Sequence, residues 1–149
     1  MIDSVFDTNV LLQAAANVNG PSHACWKFAE DRKVRVFVTE GILSELEDVL
    51  TRPKIQRQLP RLTNEHVAKM LSAFRTYCSL VTEPEAAFQL SRDNDDAKFI
   101  DLAAATGASY IVTRDRDLLG LMDDSEFCDK FPVLKIVTPV GFLEIVRKA

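Results

Sequence analysis

The chain has 149 residues, 47% hydrophobic and 27% charged, with Gly 5 and Pro 6, a composition that fits a single folded domain over 1–149 and excludes a disordered, collagen-like or low-complexity chain. Eighteen basic against 22 acidic side chains leave a net charge of −4, so the molecule as a whole is no general polyanion binder, which would carry a basic excess. Cys25, Cys78 and Cys128 form no CxxC pair, which points to free thiols rather than a disulfide framework or a zinc knuckle. Met1-Ile2-Asp3-Ser4 has no basic leader character, and the longest uncharged stretch, Leu102 to Thr113, is too short and too polar to cross a bilayer. The expectation is a cytoplasmic protein with no membrane span.

Taken in chain order, residues 2–6 read as a strand ending at Asp7. Val10 to Val18 reads as a helix closed by Asn19-Gly20-Pro21, and Ser22 to Arg32 as a second helix. Val34 to Val38 alternates and is rich in β-branched residues, so it predicts a strand. Thr39 caps a helix running to about Leu50, which Pro53 stops or kinks. Thr63 caps another helix to about Tyr77, Ser79 to Thr82 is a short strand, and Glu85 to Leu90 a helical turn. Asp93-Asn94-Asp95-Asp96 leads into a helix ended by Gly107 at its C′ position. Tyr110-Ile111-Val112 and Lys135 to Thr138 are strands, and Pro139 opens a last helix to Arg147. Strands alternating with helices predict an α/β fold with a mostly parallel sheet covered on both faces, whose working crevice lies at the carboxyl ends of the strands.

Acids collect at those ends. Asp7-Thr8-Asn9 follows the first strand, and Thr113-Arg114-Asp115-Arg116-Asp117 follows the strand 110–112. Each has an ordinary structural role open to it: Asp7 as a helix cap, Asp115 and Asp117 as turn and cap residues before Leu118-Leu119. Asp96, Phe99, Ile100 and Ala103 are spaced i, i+3, i+4, i+7, which turns Asp96 inward and leaves Asp101 on the opposite, solvated face. Spacing leaves two roles open for Asp96, a dipole-stabilised cap or a metal ligand. In the helix 40–50 the core stripe is Ile42, Leu46, Val49 and Leu50. Glu45 and Glu47 flank it on either side, and periodicity does not choose between them.

Together the acids say more than singly. Carboxylates gathered at one end of a sheet repel one another, and a hard cation is what usually neutralises such a group. An all-carboxylate set selects Mg²⁺ or Mn²⁺, and Mg²⁺ pairs readily with phosphate oxygens, which makes a phosphate ester the expected substrate. The chain has no Walker A, GxGxxG or GxSxG motif, and its two histidines, His23 and His66, have no partner motif. One segment runs against the overall charge. From Thr51 to Thr76 stand Arg52, Lys54, Arg57, Arg61, Lys69 and Arg75 against the single acid Glu65. This basic arm suits a nucleic-acid backbone or, equally, a protein partner or plain solvent.

Four segments in order resemble the PIN domain family: Asp7-Thr8-Asn9-Val10-Leu11 after a strand, Glu45 in the helix after the second strand, Asp93-Asn94-Asp95-Asp96 before Phe99, and Ile111-Val112-Thr113-Arg114-Asp115-Arg116-Asp117-Leu118. Asn19-Gly20-Pro21, Arg52-Pro53-Lys54, Val137-Thr138-Pro139 and Phe142-Leu143 are similar to the branch that holds toxins of bacterial and archaeal toxin–antitoxin pairs. Two positions depart from that branch: Asn94 stands where proline is frequent, and Arg114 where glycine is. The resemblance covers residues 2–147 and implies a three-layer α/β/α sandwich and a Mg²⁺- or Mn²⁺-dependent endoribonuclease. It maps Asp7, Glu45, Asp96 and Asp115 onto an acidic quartet that is both catalytic and metal-binding, with Asp117 as a further metal ligand or the alternative fourth acid. It gives Thr8, Asn9 and Thr113 as near neighbours of the quartet; these three, Arg114 beside them, and Arg52 and Lys54 of the basic arm are the expected substrate-binding residues. It further implies a homodimer silenced by a small antitoxin protein that docks on it.

The roles expected are direct metal ligation by Asp7 and Asp96, with Glu45 and Asp115 completing the cluster and orienting the attacking water. The reading from a different class is a PIN-like protein-interaction module without turnover. Phosphohydrolase and receiver-domain readings fail because Asp7-Thr8-Asn9 offers neither Asp-x-Asp nor paired acids after the first strand.

Overall fold

A computed structural model describes residues 1–85 and 94–149, including the side chains of all of these but 94 and 95. Five parallel strands, β1 (Ile2–Phe6), β2 (Val34–Thr39), β3 (Ser79–Val81), β4 (Tyr110–Val112) and β5 (Lys135–Val137), form one sheet in the order β3-β2-β1-β4-β5. In register, Val5 lies opposite Phe37 of β2 on one side and Ile111 of β4 on the other.

Helices α1 (Thr8–Ala16) and α2 (Pro21–Glu30) connect β1 to β2, and α3 (Glu40–Leu50), α4 (Pro53–Gln58) and α5 (Asn64–Tyr77) connect β2 to β3. The chain then recrosses the sheet through α6 (Asn94–Thr106), which lies against β1, β2 and β4. Helix α7 (Arg116–Gly120), a 3-10 turn and α8 (Ser125–Lys130) lead to β5, and α9 (Pro139–Lys148) closes the chain. Right-handed crossovers that run first one way and then the other across a parallel sheet put their helices on opposite faces. The result is the expected three-layer α/β/α sandwich. On one face Trp26 of α2 meets Phe74 of α5 edge-on at 4.8 Å, and Phe6 meets Phe142 of α9 at 5.8 Å. On the other, Phe99, Ile100 and Ala103 of α6 are buried.

Local chemistry explains most boundaries. Thr39, Thr63 and Thr138 accept hydrogen bonds from the third residue on and cap α3, α5 and α9. Gly107, at φ 71, ends α6, and the Ala108 N–H reaches back to the Ala103 carbonyl. Gly41 lies against a carboxylate: Glu83 Oε1 accepts its N–H at 2.9 Å, and a Cβ on Gly41 would stand 2.5 Å from that oxygen. This bond pins the chain leaving β3 onto the start of α3.

Several expectations are corrected. The first helix begins at Thr8 and ends at Ala16 rather than spanning 10–18, because Asp7 accepts the Val10 N–H and starts the helix two residues early. Pro53 opens α4 at its first position instead of merely ending α3 at that point. The core stripe of α3 carries Leu43 in place of half-buried Val49. Helix α8, capped by Asp124, is not among the elements expected from the sequence. The helical turn expected over 85–90 falls, after Glu85, outside the described residues. Asp101, expected in solvent, is buried at 9% exposure beside Thr39, Ile42, Lys98 and the Glu83-Pro84 segment. Residues of other elements, Thr39 and Ile42 among them, thus lie along the flank of α6 that helical periodicity leaves open.

No helix among the described residues is long and apolar enough to cross a membrane. Cys25 and Cys78 are buried free thiols pushed up to about 12 by burial, and Cys128 is half-buried. Thiols held that far from ionisation are unreactive packing groups.

Candidate active site

The strand order reverses between β1 and β4, and their carboxyl ends open the crevice that a doubly wound sheet offers a ligand. β1 delivers Asp7 there, β4 delivers Thr113 to Asp117, and the first turn of α6 delivers Asp96. Asp96 is the third residue of α6, within its first turn rather than at the capping position before it. Its burial at 6% exposure is what the inward stripe requires.

Asp96, Asp115 and Asp117 each bring a carboxylate oxygen to within 4.8 Å of the other two. Asp96 is buried, Asp115 half-buried and Asp117 exposed, so the trio forms a slope from the sheet to solvent. Asp115 uses one oxygen structurally: Oδ1 accepts the Asp117 N–H at 2.7 Å and caps α7.

Asp7 stands beside this trio, buried at 5% exposure. Its Oδ1 accepts the Val10 N–H at 2.8 Å, and its Oδ2 accepts the hydroxyl of Thr113. Burial raises the Asp7 carboxyl above its ordinary value, the bonds from Thr113 and the start of α1 partly offset this, and the negative charge of Asp115 raises it again. Thr113 is fully buried, and its hydroxyl oxygen also accepts the Asp115 N–H at 2.9 Å.

Glu45 lies outside the trio, half exposed, in an ion pair with Lys98 of α6. Glu47, its rival by periodicity, is also exposed on α3. Lys98 is the charged neighbour of a candidate site residue that the sequence does not reveal. A lysine two places after Asp96 carries no motif, and only the packing of α6 near α3 brings it to Glu45.

Thr8 and Asn9 line a groove of about 490 Å³ with Leu12, Val49, Ile55 and Leu59, between α1, α3 and α4. Arg114 is exposed beside the trio. Of the basic arm, Arg52 is tied to Asp48 at 2.6 Å and Arg75 to Glu40 at 2.5 Å. Arg75 holds the Glu40 carboxyl below its usual range. Lys54, Arg57, Arg61 and Lys69 are exposed. The two histidines are structural: His23 Nδ1 and His66 Nε2 each lie 2.8 Å from a carbonyl oxygen at the end of α1, on Ala14 and Ala15.

This donor set fits a hard divalent cation. It is all carboxylate, with neither imidazole nor thiol in the cluster. The buried Thr8 hydroxyl beside Asp7 has no hydrogen-bond partner within the described protein, leaving a polar group for a hydrated ligand to satisfy.

Comparison with known proteins agrees with the fold. The structure is similar to the crystal structure of VapBC2 from Rickettsia felis bound to a DNA fragment from their promoter, with a TM-score of 0.58 at 13% identity, over 92% of this chain and 98% of that one. The sequence is 32% identical over 148 residues to the uncharacterized protein MJ1680 of Methanocaldococcus jannaschii, covering 99% of this chain and 93% of that protein. Residues 3–117, which include every acid of the crevice, match the family model described as PIN domain. The chain belongs to the PIN domain family.

Proposed function

We propose that this protein is a Mg²⁺- or Mn²⁺-dependent endoribonuclease, the toxin of a toxin–antitoxin pair. The observation that carries the reading is the convergence of Asp96, Asp115 and Asp117 within 4.8 Å at the switch point of the sheet. Membership of a nuclease family supports it. Asp7, Asp96, Asp115 and Asp117 would hold the ion, and Glu45 would join once released from Lys98. When bound, the ion would lower the pKa of an attacking water and stabilise charge on the scissile phosphate.

The protein's own residues supply the rest. Asp7 is fixed from both sides, by Thr113 and by the start of α1, so its carboxylate needs no reordering to act. Asp115 is held by its own cap of α7 and by Thr113, and would orient the water in line with the leaving oxygen. Thr8 and Asn9, from the groove between α1, α3 and α4, and the exposed Arg114 would contact the RNA backbone, with Arg52 and Lys54 of the arm beyond. In-line attack would leave a 5′-phosphate and a 3′-hydroxyl. Partners in this reading are the RNA substrate, a small antitoxin and a second copy of the chain, in the cytoplasm.

The test is cleavage by purified, partner-free protein of single-stranded and structured RNA with Mg²⁺ or Mn²⁺, with Asp96→Asn and Asp115→Asn as controls. Metal-dependent cutting that EDTA and both substitutions abolish is expected. Cutting that survives chelation would overturn the mechanism. Metal binding without cleavage of any RNA would favour a protein-interaction module.

A further inference from the structure

Glu45 and the aspartate trio come from different parts of the fold. Glu45 stands on α3, which follows β2, whereas the trio comes from α6 and the end of β4. Lys98 links them: it is carried on α6 two residues after Asp96, and its ammonium is paired with Glu45 Oε2. Lys98 is 31% exposed and Glu45 43%, so the pair is wet enough to open without unfolding anything. Lys98 Nζ also sits 5.3 Å from the centre of the Phe99 ring, and the lysine lines a small pocket with Thr39, Ile42, Glu83 and Asp101, which fixes where its stem lies.

We propose that Lys98 is a positioning residue that locks Glu45 away from the Asp96-Asp115-Asp117 cluster, so that a divalent cation recruits Glu45 only by displacing the ammonium. The proposal rests on the metal reading above. It follows from charge and placement. A site with four or five carboxylates and no cation would repel itself. A lysine on the same helix as one ligand supplies an internal counter-charge, which keeps the metal-free site from splaying and weakens its grip on the ion. The lock thus sets the cation concentration at which the site fills.

The experiment is Mn²⁺ titration by calorimetry on the whole protein, without RNA. It compares the parent, Asp96→Asn, Lys98→Met, Lys98→Arg, Glu45→Gln, and Lys98→Met combined with Glu45→Gln. Removing the ammonium is expected to tighten Mn²⁺ binding about fivefold, the upper range for one half-exposed ion pair. Arginine, which keeps the pair, should leave the affinity within about twofold of the parent. With Glu45→Gln already present, Lys98→Met should gain less than about twofold, because no carboxylate is left to release. An equal gain in both backgrounds would reduce Lys98 to a distant charge and overturn the lock, as would no gain at all. If the parent binds Mn²⁺, Asp96→Asn abolishes binding and Lys98→Met changes nothing, the metal reading stands and the lock falls. If the parent binds no Mn²⁺, both fall. Lys98→Gln repeats the measurement should the methionine variant fold poorly, as judged by urea unfolding.

Discussion

The Thr113 hydroxyl, just past the end of β4, donates its proton to Oδ2 of Asp7, just past the end of β1. Two neighbouring strands are thereby joined at the crevice by a side-chain bond as well as by their ladder. The same hydroxyl oxygen accepts the Asp115 N–H at 2.9 Å, so one small residue sets the position of two acids.

Thr113→Val keeps the shape and removes the donor. A buried carboxylate deprived of such a bond costs about 1.5–3 kcal/mol. Urea unfolding at neutral pH should show that drop for valine, and a smaller one for Thr113→Ser, which keeps the hydroxyl.

The raised pKa of Asp7 makes a pH prediction. Its value in the folded state lies above the ordinary 3.8, so the folded protein holds this proton longer than the unfolded chain does. Its contribution to stability is therefore complete below about pH 3.8 and is lost as pH rises through the folded value. Asp7→Asn keeps the cap and has no proton to lose. The unfolding free energy of the metal-free parent minus that of Asp7→Asn should fall as pH climbs from about 4 towards neutrality. A difference that stays level or rises would show that Asp7 is not desolvated.

Metal linkage tests Asp96. At a hundredfold excess over its dissociation constant, Mg²⁺ should stabilise the parent by about 2.7 kcal/mol, and Asp96→Asn much less. Without metal the asparagine variant should match or exceed the parent, having shed one repelling charge. Thermal unfolding of parent, Asp96→Asn and Asp96→Ala, each with and without Mg²⁺, decides the point. Equal stabilisation of parent and Asp96→Asn would remove Asp96 from the ligand set.

The exposed arm cations Lys54, Arg57 and Arg61 should track RNA phosphates. Neutralising them should weaken RNA binding across sequences and flatten its salt dependence, by roughly one unit of slope for each phosphate that no longer meets a cation. Unchanged RNA binding combined with failure to hold a protein partner would make the arm an interface instead.

At the far end of α1, His23 and His66 bond the carbonyls of Ala14 and Ala15, which have no partner within the helix. His66→Ala should cost about 1 kcal/mol in urea unfolding, with a similar cost for His23→Ala. Since Asp7 caps the opposite end of α1, fraying at the last turn should leave metal affinity almost untouched.

Much of the fold is legible in the residues alone. The β-branched run at Val34 to Val38, the caps at Thr39 and Thr63, Gly107 and Pro139 are local signals, set by backbone preferences within a few residues. α8 is not legible, because its six residues are too few to display a period. Pro53 is ambiguous because proline both ends one helix and opens the next. Asp101 reads as solvated because periodicity describes one helix and knows nothing of residues from other elements, such as Thr39, Ile42 and Glu83, that lie beside it.

The candidate site divides the same way. By itself the sequence determined which acids stand at strand ends and that Asp96 turns inward, because strand and helix periods act within an element. Only the tertiary structure decided that Asp115 and Asp117 both join Asp96, that Thr113 holds Asp7, and that Glu45 is bound to Lys98. Those pairings depend on how β1, β4, α3 and α6 pack around a shared crevice. A side chain reaches across such a gap according to its neighbours on other elements, and those neighbours are distant in the chain.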